Sequence, residues 1–145
     1  MSIPTVATSS QALSAPKGSA RTMAGITLIY LPAILLAGSA MAKFAHAPGV
    51  AHQMAAIGFA GPKLMLIASL EILSALLFVW PGTRPLGIFM VSAYLGGAIC
   101  AHAAVSDYPH TIPASVVLAL AWTGMWMRYP EIFSITTVPP PANAN

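Results

Sequence analysis

Charge is what this chain has least of: among 145 residues three are acidic and six are Lys or Arg, so that 6% are charged while 57% are hydrophobic. A water-soluble domain of this length carries about a quarter charged residues. With a mean hydropathy of +0.78, the bilayer rather than water is the expected solvent. The formal net charge of +3 reflects missing acids, and the basic residues stand singly at segment ends. That distribution argues against a nucleic-acid surface. A single cysteine, Cys100, excludes an intrachain disulfide and a C-x-x-C exchange pair, and with them the simplest thiol redox chemistry. A nucleophile elbow, a phosphate loop and a carboxylate pair are also missing.

What the chain does have is four apolar stretches. The first runs from Met23 to about Phe44, long enough for the roughly 20 residues a spanning helix needs, with Pro32 expected to kink it. An alternative reading is a signal peptide ending at Ala40-Met41-Ala42, although the long leader ahead of the apolar run argues against it. The second is Pro62–Trp80, closed by Pro81-Gly82. The third runs from about Leu86 to Ala104 and the fourth from about Thr111 to Met127, with Ser106-Asp107-Tyr108-Pro109 between them. Tight connections make spans two, three and four antiparallel neighbours.

The predicted fold is therefore all-α: an integral membrane bundle of four transmembrane helices over residues 23–133. In its first loop, Val50, Met54, Ile57 and Gly58 fall at helical spacing and predict a short interfacial helix. Residues 1–22 and 134–145, rich in small and proline residues, read as disordered tails. With four spans, Lys17, Arg21, Arg84 and Arg128 share one side against Lys43 and Lys63 on the other. The positive-inside bias then places both termini in the cytoplasm. Trp80, Trp126 and Tyr129 would belt the inner surface, and Phe59 and Tyr108 the outer.

Glu71 is the residue to explain, because it lies in the middle of the second apolar run. An ionised group at that depth costs several kcal/mol unless it faces a bundle interior, a partner or a cavity. Ala68, Ser74 and Ala75 give it a small, weakly polar face. Tyr94 lies at similar depth on span three, with His102 and Lys43 nearer the outer surface. Helix rise puts Lys43 and Glu71 roughly 14 Å apart in depth, so a direct ion pair requires leaning side chains or shifted helices. Glu71, Tyr94, His102 and Lys43 are the candidate ligand-binding residues, for a proton, a quinone head group or another polar-headed molecule. The plainer reading is a neutral carboxylic acid that hydrogen-bonds across helices and fixes their packing. Gly38, Ala93, Gly96, Gly97 and Ala101 are small residues suited to close helix packing, and they make span three the expected most enclosed helix. No metal site is expected: only His102 lies within a span, and His46, His52 and His110 form no His-x3-His or Glu-x-x-His pair.

These motifs resemble the DoxX-like membrane proteins. The resemblance rests on Gly38-Ser39-Ala40-Met41-Ala42-Lys43-Phe44, Pro48 and Gly58, Leu70-Glu71-Ile72-Leu73, Tyr94-Leu95-Gly96-Gly97-Ala98 with His102, and Trp122 followed by Met127-Arg128-Tyr129-Pro130. It covers about residues 24–133. It implies a four-helix membrane bundle with an uncleaved first span, and it marks Lys43, Glu71, Tyr94, Gly97 and His102. It further implies a bacterial inner-membrane setting beside a quinone-linked redox system. The expected role is an accessory or quinone- or lipid-binding subunit, with the bilayer, redox-complex subunits or a second copy as partners and quinone as the one candidate cofactor. A proton-coupled small-molecule transporter and a purely structural subunit are the alternatives.

Overall fold

The computed structural model of the protein describes residues 17–130, which form five α-helices and no strand. They are α1 (Lys17–Phe44), α2 (Pro48–Ala56), α3 (Pro62–Val79), α4 (Arg84–Ala104) and α5 (Tyr108–Arg128). Helix α1 begins inside the expected N-terminal tail, and it runs unbroken through Ala40-Met41-Ala42. Residues 1–16 of that tail and the C-terminal tail over 134–145 lie outside the described residues.

Local sequence explains the boundaries. Proline occupies the first or second position of α2, α3, α4 and α5, where its fixed φ suits a helix and its missing N–H would have had no partner. Three helices end in the same turn, in which a residue at positive φ lets its own N–H and that of the next residue return to the last carbonyls. His46 (φ 50°) does this after α1, Gly58 (φ 86°) after α2 and Ser106 (φ 60°) after α4. Helix α3 closes differently. The Thr83 hydroxyl donates to Leu77 O at 2.8 Å, while Arg84 donates through Nε to Phe78 O at 3.0 Å and through its other arm to Val79 O at 2.6 Å. Arg84 also donates to the Tyr129 hydroxyl. It is a buried cap on the end of α3.

Helix α1 packs against α3 and α5, and α4 packs against the same two, so the four long helices close a square. Helix α2 leans on α1. Among the described residues three helices are long and apolar enough to cross a membrane: Ala20–Phe44, Pro62–Val79 and Arg84–Ala104. Helix α5 has the length but is less apolar, since Pro109, His110, Thr111 and Pro113 crowd its start. Apolar side chains face outward on every long helix, including Ile34, Leu76, Phe89 and Ile112, each more than 60% exposed.

The bundle is tight at one end and splayed at the other. Near the tight end a Cβ on Gly87 would lie 2.3 Å from Phe78 N, so the α3 and α4 backbones touch there. A Cβ on Gly124 would lie 2.9 Å from Leu28 O, the carbonyl that Pro32 leaves without its intrahelical donor. Ile29, Phe78, Ile88, Val91 and Met125, each at most 1% exposed, fill this half. The expected packing residues fall elsewhere. Gly38, Gly96 and Gly97 face open space, and Ala93, Gly97 and Ala101 line a cavity. Helix α4 is accordingly not the most enclosed span: 28% of its apolar window is buried, against 33% for α1 and α3.

Candidate functional site

The splayed half encloses a cavity of about 620 Å³. Its walls come from the C-terminal halves of α1 and α4, the first half of α3 and the start of α5. Val50, Gln53, Met54 and Ile57 of the α2 segment cover it. The helix expected to lie in the membrane interface therefore turns its apolar face toward the bundle interior.

At the wall of this cavity Lys43 and Glu71 form a direct ion pair, Nζ to Oε2 at 2.6 Å, with both residues at most 5% exposed. Ser39, one turn before Lys43, accepts a second hydrogen bond from the ammonium at 2.6 Å. The depth offset expected from helix rise is closed by side-chain direction. Each Cα–Cβ bond tilts toward its helix N-terminus. On antiparallel α1 and α3, that tilt aims Lys43 toward the bundle centre and Glu71 toward the open end, so the two converge. The four-carbon lysine stem covers about 6 Å more.

The pair supplies compensating charge where an isolated carboxylate could not persist. The Tyr94 phenol faces the Glu71 carboxylate closely enough to interact with it, and it lines the same cavity. Three of the four candidate residues thus meet around one point. The polar atoms buried here are all partnered. An ammonium has three donors, and Ser39 and Glu71 take two of them.

The fourth candidate, His102, is buried at the cavity rim and belongs to a different group. Asp107 accepts from His102 Nδ1 at 2.9 Å through one carboxylate oxygen and from His110 Nδ1 at 2.6 Å through the other. The two imidazoles stack with centroids 5.4 Å apart. These hydrogen bonds, that of His110 first, hold the Asp107 carboxyl below the usual carboxylate range. The turn at Ser106 builds the group, because it brings Asp107 N back to His102 O at 2.9 Å. Asp107 then stands at the start of α5, where its side chain makes no capping bond to the backbone and engages His110 instead. The donor atoms of His102, Asp107 and His110 all lie within 4.8 Å of one another, a grouping that sequence spacing did not show. His46 and His52 are exposed and stand apart from it.

At the tight end, Arg21 lies over Trp126 at 5.6 Å and Arg128 over Tyr129 at 5.2 Å. Trp80, at the same end, is 69% exposed.

An apolar exterior around a charged, covered interior defines an integral membrane helix bundle. The DoxX-like family pattern matches residues 26–124, more than half the chain, and the protein belongs to that family. The matched segment contains Lys43, Glu71, Tyr94, His102, Asp107 and His110. Comparison with curated proteins and with solved structures gave no match.

Proposed function

We propose that the protein is a multi-pass inner-membrane subunit that holds one quinone-like or lipid-like molecule in its cavity and works beside a membrane redox system. The observation that carries this reading is the Lys43–Glu71 pair, buried at the wall of a cavity of about 620 Å³ with otherwise largely apolar lining. That volume falls in the range of small-molecule sites, about 300–1,000 Å³. The third ammonium donor of Lys43 and the Tyr94 hydroxyl suit a carbonyl or ester oxygen, while the remaining walls suit a ring or an acyl chain. In this reading α5 crosses the membrane as the fourth span and both termini are cytoplasmic, with the arginine-rich tight end inward. The outward apolar faces are available to lipid, to partner subunits or to a second copy.

The test is mass spectrometry of small molecules retained after gentle extraction. Wild type should carry a stoichiometric quinone or lipid. Glu71→Gln, which removes the charge, and Ala101→Phe, which fills the cavity and leaves the ion pair intact, should both lose it. Retention at wild-type levels in both variants would overturn the proposal, as would uptake of a solute into liposomes driven by a proton gradient.

A further inference from the structure

The geometry points to a second site that the cavity reading does not require: His102, Asp107 and His110 form a binding site for a divalent transition metal, zinc-like in its preferences, at the rim of the cavity. Two imidazole nitrogens and one carboxylate oxygen are a borderline-soft donor set that suits zinc, copper or nickel ions and not magnesium or calcium. The three donors converge on one another rather than on separate partners, at 2.9 and 2.6 Å through opposite oxygens of one carboxylate.

Each contact now holds a proton between nitrogen and oxygen. An ion would take the place of that hydrogen at Nδ1, each ring binding as the neutral tautomer with its one hydrogen on Nε2, to which the Nδ1 proton moves from a neutral ring or beside which it leaves to solvent from a cationic one. Donors around tetrahedral zinc lie roughly 3.4 Å apart; here each nitrogen touches a different carboxylate oxygen and the three donor atoms lie within 4.8 Å of one another, so they must shift to share one ion. The His110 side chain is 50% exposed and stands one turn into α5, so it can supply that movement. The His102 side chain is 7% exposed.

The backbone supports the same assignment. Ser106 takes a positive φ that glycine would adopt at less cost, and the turn it makes places Asp107 beside His102. Asp107 is an N-cap residue type at an N-cap position, yet its carboxylate leaves the helix N–H groups uncapped and takes the two imidazoles. Three protein donors leave at least one coordination position for water or for a ligand atom. Because both rings border the cavity, that position lies at its entrance.

The experiment titrates the full-length chain, purified in detergent without a histidine tag, with zinc chloride by calorimetry. Cobalt absorption serves as a second readout of tetrahedral coordination. One zinc per chain is expected. His110→Ala, at an exposed position, and Asp107→Asn, which keeps the side-chain volume, should each weaken binding at least about tenfold and abolish the tetrahedral cobalt bands. His52→Ala should leave both readouts unchanged. Absence of zinc binding in wild type, or wild-type affinity in both His110→Ala and Asp107→Asn, would overturn the assignment. It would leave Asp107 as a polar tie between α4 and α5.

Discussion

Removing Lys43 and Glu71 singly and together asks how much of the fold depends on their pairing. At 2.6 Å and an effective dielectric of about 20, the Coulomb attraction is about 6 kcal/mol. The desolvation of two ions, several kcal/mol each, cancels most of this. The net worth of the pair against an apolar substitute is therefore near zero, whereas an orphaned charge in the same place is costly. Lys43→Met and Glu71→Leu should each destabilise by about 3–5 kcal/mol, and the double variant by about 2 kcal/mol or less. The interaction energy between the two sites would then be about 4 kcal/mol or more. Reversible unfolding in micelles, read by tryptophan fluorescence, measures all four corners of the cycle. Single-variant effects that add to the double-variant effect within about 0.5 kcal/mol would refute the reasoning and show that the charges act independently.

Two further outcomes test the asymmetry of the bundle. Gly87→Ala forces a methyl to within 2.3 Å of the Phe78 backbone and should lower stability by about 3 kcal/mol or more, whereas Gly97→Ala meets open space and should be neutral or stabilise by up to about 1 kcal/mol; thermal unfolding of the two variants side by side reads the contrast. Arg84→Met leaves Phe78 O and Val79 O without their side-chain donors and should cost about 2 kcal/mol or more. Arg84→Lys should recover only part of this loss in the same melt, because one ammonium cannot reproduce the planar fork.

Hydropathy and turn residues made most of the fold legible. Pro62, Pro81-Gly82 and Pro109 mark helix ends that the structure keeps within a few residues. The turns at His46 and Ser106 were not legible, because neither residue is the glycine that usually announces positive φ. Their concealment hid the rim cluster, since His102, Asp107 and His110 share no regular spacing until Ser106 folds them together. Glu71 was conspicuous through its depth alone. Its partner was harder to see, because counting residues from helix ends ignores the opposite lean of side chains on antiparallel helices. The stripe of Ala93, Gly97 and Ala101 misled for a physical reason: small residues admit a neighbouring helix and equally leave room for a cavity. The close contacts belong to Gly87 and Gly124, single glycines that no repeat advertises.

Because α3 and α4 meet backbone to backbone at Gly87, and α1 and α5 at Gly124, the large cavity is confined to one half of the bundle. Such a shape is a cup and not a conduit. On the proposed reading, whatever enters leaves by the mouth through which it came, since passage through the other half would require prying apart two glycine seams that have no slack to give.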